Sequence, residues 1–289
     1  MDKKLASIIK YFAVFDYFPR FEEVYTFFPR KISKKTLKTM YEAVLDTPPQ
    51  YSIIRNPKSA IKQLINYELR ITNSKKKLRN WRFRLYIKLV LLFPQIKLVG
   101  LSGSISMMNA DLDDDIDLFI ITKKNRLFTG RFLATMIAFI MGLKRPLGLK
   151  KASDKVCLNL FFDESNLKVP KFKQTLFVGH EVLQMKPIIN KDYVYERFLV
   201  ANGWIFKLFP NAIENLESRI QNSELKNKIS NSKLIHNSKF IILNFGRILE
   251  LFFKKIQLLL INRHKTTEII TSSQLWFHPD DFEKKIKFL

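Results

Sequence analysis

Asp115 and Asp117 are the residues whose types and spacing point most directly to chemistry. They stand at the head of the apolar run 116–122, IDLFIIT, which has strand character. In a strand, side chains at i and i+2 share a face. Both carboxylates therefore project together, with Cα atoms roughly 6–7 Å apart, while Ile116 and Leu118 turn into a core. Two carboxylates held side by side repel unless a cation or a proton lies between them. Oxygen ligands suit Mg²⁺, or Mn²⁺ in its place, and Mg²⁺ also takes phosphate oxygens. Upstream, after a second strand-like run at 97–100, Gly103 and Ser104 form a small-residue turn. Glycine lets a backbone approach a ligand closely, and Ser104 opens a short helix over 104–109 whose free N–H groups suit phosphate. Strand, Gly-Ser turn, short helix and Asp-x-Asp strand together describe a place to hold a nucleoside triphosphate and its metal.

The elements that must position these residues follow from periodicity. Leu5, Ile8, Ile9, Phe12 and Phe15 recur at helical spacing, and 21–28 and 35–45 read as two further helices separated by breaks at Pro19 and Pro29. A short strand candidate, 51–55, follows Pro48-Pro49. Three helices and a small β-element have the layout of a winged helix, whose third helix carries Arg30, Lys31, Lys34, Lys35 and Lys38 before or along it. Residues 60–93 read as one long helix or two, with an apolar stripe for the sheet and a basic face including Lys75, Lys76, Lys77 and Arg79. That face is either solvated or lines a path for phosphates. Pro94 ends it. Beyond the Asp-x-Asp strand, 126–143 is an apolar helix in which Arg131 is expected to snorkel or to pair with an acid. The basic loop 144–154 is placed near the active site, and 155–162, KVCLNLFF, is the next strand, with Asn159 at its central polar position. Helices are expected at 178–185 and 196–209. His180 and Glu181 are adjacent in the first of these, so they do not share a face and imply no dyad. Residues 218–239 are polar, 240–262 form a long amphipathic helix that closes a domain or a dimer or lies on a membrane surface, and 282–289 a last short helix.

The chain has 289 residues, 50 basic against 26 acidic, and a net charge of +24. Such a charge favours polyanionic partners, nucleic acid or nucleotide among them, although abundant Lys, Ile, Asn and Phe also fit an AT-rich coding sequence. Cys157 is the only cysteine, so no intrachain disulfide forms, in keeping with a reducing cytoplasm. The four histidines show no zinc-site spacing. The N-terminal run is interrupted by Lys10 and Asp16 and is not expected to be a signal peptide. The most apolar window, 132–143, is too short to span a bilayer, so no transmembrane segment is expected.

The pattern apolar–Gly–Ser, about ten residues, then Asp–apolar–Asp–apolar resembles the DNA polymerase β-like nucleotidyltransferase superfamily. The resemblance implies that Gly103 and Ser104 contact the triphosphate and that Asp115 and Asp117 bind divalent metal. It also implies a third carboxylate on a later strand, where this chain has Asn159, which is placed at the nucleotide pocket. Further stretches (YFAVFDYFP at 11–19, KVCLNLFFDE at 155–164, ERFLVANGWIFKLFPN at 196–211 and WFHPDD at 276–281) are similar to a bacterial group of nucleotidyltransferase-domain proteins. The expected fold is α+β, with a winged-helix-like module at 1–60, a nucleotidyltransferase core at 61–190 and a C-terminal helical region at 191–289. The implied function is Mg²⁺-dependent transfer of a nucleoside monophosphate from an NTP to an acceptor the sequence does not choose. With Asp115 and Asp117 alone the site either holds only one Mg²⁺ firmly or relies on Asp163 or Glu164 at the strand end. The alternative is a nucleotide-binding protein of the same fold, with weak or no turnover, whose N-terminal module meets DNA or a protein.

Overall fold

Alternation along 116–122 becomes the central strand of a six-stranded mixed sheet. The structure is a computed structural model and describes residues 2–46, 57–146, 152–214, 216–217, 240–263 and 268–277. The fold is α+β. Its strands are β1 (Ile96–Leu101), β2 (Ile116–Thr122), β3 (Val156–Asp163), β4 (Lys186–Asn190), β5 (Ile269–Ile270) and β6 (Gln274–Trp276), in the order β4-β1-β2-β3-β6-β5. Only β2 and β3 run parallel, and the helix α7 (Leu127–Ile140) makes the crossover that parallel pairing requires.

Three N-terminal helices form as their spacing predicts: α1 (Lys3–Ala13), α2 (Phe21–Thr26) and α3 (Lys34–Asp46). Asp2 caps α1 by accepting the Lys4 N–H at 2.8 Å. The strand candidate at 51–55 lies outside the described residues. The 60–93 pattern resolves into two helices, α4 (Pro57–Arg79) and α5 (Trp81–Leu91), because Asn80 leaves helical geometry and caps α5 through the Arg82 N–H. A one-turn helix, α6 (Gly103–Ser106), precedes β2. The expected helix 196–209 is likewise two, α9 (Val194–Ala201) and α10 (Trp204–Leu208). Between them the buried Asn202 amide accepts the Val169 N–H and donates to the Leu167 carbonyl. Helix α8 (Leu176–Gln184) and a long C-terminal helix, α11 (Phe240–Asn262), complete the set.

The two sheet faces bury different helices. Phe119, Ile121 and Phe162 pack with Phe12, Phe27, Phe198 and Phe209, so α1–α3 share one core with α8–α10. His180 sits in that core, stacked between Tyr11 at 3.7 Å and Phe27 at 4.0 Å, and burial pushes its imidazole pKa well down. On the other face Ile116, Leu118, Ile120 and Phe161 pack with Tyr86 of α5 and Phe128 of α7. Arg131 of α7 does not snorkel: it donates to the Gln257 amide oxygen at 2.7 Å and lies 4.8 Å over the Phe277 ring, burial lowers its pKa to about 10, and among the described residues no acid pairs with it.

The C-terminal span is not wholly helical, since β5 and β6 extend the sheet beside β3. Edge strand β4 carries Pro187, a residue that an edge tolerates and a central strand does not. Among the described residues no helix is long and apolar enough to cross a membrane.

Candidate active site

Strands β1 and β2 pair with Leu101 opposite Leu118, and the Ser102 N–H donates to the Asp117 carbonyl at 3.0 Å. The chain therefore enters Gly103 directly beside Asp117. Gly103 has φ +61°, and a Cβ there would lie 2.6 Å from Asp117 Oδ2. Left-handed backbone and a crowding carboxylate both call for glycine. Gly103→Ala is expected to cost about 2 kcal/mol, to lower the unfolding midpoint by ~4–8 °C and to weaken Mg²⁺ binding by displacing Asp117. Thermal unfolding with and without Mg²⁺ checks both effects.

Helix α6 is shorter than the 104–109 expected, and it ends before Met108 at φ +58°. The Ser104 hydroxyl donates to Asp114 Oδ2 at 2.9 Å, and the same oxygen accepts the Asp111 N–H at 3.0 Å. To reach a phosphate, Ser104 must exchange that bond. Helix α4 holds the acidic loop from behind. Lys77 Nζ donates to the carbonyls of Leu112 and Asp114, both at 2.7 Å, and pairs with Asp154 at 3.3 Å. Arg70 Nε donates to Asp111 at 3.0 Å. Lys77 is thus a buried tie and not part of a solvated or phosphate-lining face.

In the parallel pair, Asp117 stands opposite Cys157 and Leu118 opposite Leu158, but Phe119 stands opposite Leu160. Asn159 is therefore an extra residue, a bulge of the kind that re-aims a side chain. Its amide nitrogen donates to Asp117 Oδ1, and its amide oxygen accepts the Cys157 thiol proton at 2.7 Å. Arg145, from the basic loop, donates to Asp115 Oδ2 at 2.6 Å and approaches Cys157 Sγ at 3.5 Å. Ligand atoms of Asp115, Asp117 and Cys157 all lie within 4.8 Å of one another.

Burial pushes the Asp117 carboxyl well above the usual carboxylate range, and the charges of Asp115 and Glu181 push the same way against Arg145. Glu181 reaches the site from α8. Burial raises its pKa to about 7, opposed by the nearby Gly103 backbone N–H. Burial raises the Cys157 thiol, helped by Asp117 and Asp115, so it stays protonated. A protonated thiol is a poor ligand for any cation, whereas paired carboxylate oxygens suit Mg²⁺ or Mn²⁺. The donor set therefore fits a hard divalent ion held by Asp115 and Asp117.

Removal of divalent metal exposes this electrostatic strain as a pH dependence. The folded pKa of Glu181, about 7, exceeds its ordinary value of 4.5. The stability it contributes is complete below about 4.5 and is lost as pH rises through about 7, up to about 3 kcal/mol. Chelator-treated protein is expected to lose stability across that window, and the Glu181→Gln protein to lack the corresponding slope. Denaturant titrations at a series of pH values measure the difference.

Gly103, Asp115, Asp117 and Asn159 come together in the structure, while Ser104 adjoins them facing Asp114. Asp163 and Glu164 do not. Asp163 pairs with Thr122, five residues along β2 from Asp117 and so roughly 16 Å away. There Asp163 binds the Ser165 N–H and hydroxyl, and Glu164 binds the Lys124 N–H, so neither supplies a third acid. Sequence reasoning missed Cys157 and Glu181. Cys157 lies two residues from Asn159 on one strand, so period-2 alternation signalled it. Nothing local signalled Glu181, which arrives through the packing of α8. No family model, no curated protein and no solved structure matches the chain.

Proposed function

We propose that the chain is a Mg²⁺-dependent nucleotidyltransferase with a polymerase β-like core. The observation that carries this reading is the Gly103 turn pressed against the Asp115/Asp117 pair. Asp115 and Asp117 would hold the metal. A divalent ion there would supply Lewis-acid stabilisation of the charge that builds on the leaving pyrophosphate. The Gly103 backbone and Ser104 Oγ would hold the β- and γ-phosphates, with Glu181 and Asp114 releasing them. Arg145, which now pairs with Asp115, would turn to a phosphate oxygen. An acceptor oxygen then bonds to the α-phosphorus as the bond to pyrophosphate breaks. The bulge leaves a neutral amide where the family has its third acid, and Glu181 supplies a further carboxyl beside Asp117 from α8.

A second reading is favoured by Asn159 alone: a nucleotide-binding protein of this fold without efficient transfer, with α1–α3 available for a DNA or protein partner. One experiment separates the two. The pure protein is incubated with each NTP in turn and Mg²⁺ or Mn²⁺, and pyrophosphate is measured alongside label on added acceptor fractions. Release that the Asp115→Asn/Asp117→Asn protein lacks supports transfer. Metal-dependent nucleotide binding without release supports the second reading, and no binding in either protein overturns both.

A further inference from the structure

Helix α11 is inverted relative to an ordinary amphipathic surface helix. Two of its polar residues, Glu250 and Gln257, face inward onto α7. Glu250 accepts the N–H groups of Phe128 and Thr129, both at 2.8 Å, at the N-terminus of α7. Gln257 donates to the Phe128 carbonyl at 2.7 Å and accepts from Arg131. Its large apolar residues face outward: Ile248 is 64% exposed, Leu251 58%, Phe252 56%, Ile256 39%, Leu259 61% and Leu260 57%. These positions follow i, i+3, i+4, i+8, i+11 and i+12, one continuous stripe along three helical turns and more. A stripe of this extent marks an interaction surface.

Charge identifies what covers it. Arg247, Lys255 and Arg263 are exposed along the same helix, while Glu250, its one acidic residue, is turned inward on α7. On α5, in the same helical layer, Trp81 is 70% exposed and lines a shallow hollow with Arg84, Leu85 and Lys88. Among the described residues of this helix the exposed charges beside the apolar stripe are all cations, and on a chain of net charge +24 that pattern complements an anionic lipid surface and opposes a second copy of itself. Four charged residues within α11, at 247, 250, 254 and 255, exclude spanning and fit a helix lying in the interface plane. We propose that α11 is a membrane-surface helix that seats this stripe among the headgroups of an anionic bilayer, with Arg247, Lys255 and Arg263 on the lipid phosphates.

Sedimentation of the full chain with vesicles tests this directly. At low salt the protein is expected to pellet with vesicles of phosphatidylglycerol and phosphatidylcholine and to stay in the supernatant with phosphatidylcholine alone. Leu251→Glu/Leu259→Glu alters two exposed positions and is expected to reduce the bound fraction at least about tenfold with an unchanged unfolding midpoint. A dye on Phe252→Cys, labelled while Cys157 stays buried, is expected to shift to the blue on adding the anionic vesicles, whatever the fate of the Glu variant. Three results would overturn the proposal: no pelleting of the wild type with anionic vesicles, equal pelleting of the double Glu variant in folded form, or a wild-type dimer that the variant dissociates. The last assigns the stripe to a second copy.

Discussion

Replacing Asp117 by asparagine is expected to abolish pyrophosphate release while making the metal-free protein harder to unfold. The two effects share one cause. In the metal-free site Asp117 is half-buried beside Asp115 and Glu181, with Arg145 as the cation that opposes them, and its carboxyl is held well above the usual range. Asparagine keeps an oxygen to accept from the Asn159 amide and drops the charge that Asp115 and Glu181 oppose. At pH above the ordinary carboxylate range the variant therefore gains stability, and the gain shrinks as pH falls and Asp117 protonates. The same change removes one of two anionic oxygens that would hold Mg²⁺. Losing that stabilisation of the leaving group is worth about 4 kcal/mol, near 10³-fold in kcat. Thermal unfolding in chelator and steady-state pyrophosphate release, made on one preparation, report both. A variant that loses turnover and stability together would show that Asp117 serves the fold and that its strain is not reserved for a ligand.

Lys77→Met is expected to be the most destabilising single change outside the core. Its ammonium is buried and closes two carbonyls of the 111–114 loop at 2.7 Å, with Asp154 as its counter-charge. Methionine matches the stem but removes the Lys77 donor from the Asp114 carbonyl and leaves the Leu112 carbonyl with the Ser153 hydroxyl alone, at about 1–3 kcal/mol for each lost bond. A loss of about 3 kcal/mol follows, a fall of ~6–12 °C in the unfolding midpoint. The loop carries Asp114, which holds Ser104, so the Gly103–Ser104 turn loosens as well. Exposed neighbours such as Lys75 and Lys76 serve as controls, since surface lysines contribute little. Equal effects at all three positions would contradict the assigned role of Lys77.

Sequence by itself determined the elements whose hydrophobic period is local. Alternation placed β2 at 116–122 and β3 within one residue, and helical spacing placed α1–α3 and α11. These signals depend on neighbours a few residues apart, so chain order alone carries them. The i, i+2 rule likewise put Asp115 and Asp117 on one face while Ile116 and Leu118 are buried on the other. Strands β4, β5 and β6 stayed hidden because they are short, and in β4 a proline masks the pattern. Which cations are solvated and which are ties was equally hidden: Lys77 and Lys76 are adjacent and alike in type, yet Lys77 is buried on two carbonyls of the acidic loop and Lys76 is exposed. Tertiary structure alone decided that Asn159 is bulged onto Asp117, that Glu181 reaches the Gly103 turn, and that α11 turns its polar side inward. Each depends on what a residue meets across the fold, and a carboxylate or an apolar face takes its energy from that partner and not from its place in the chain.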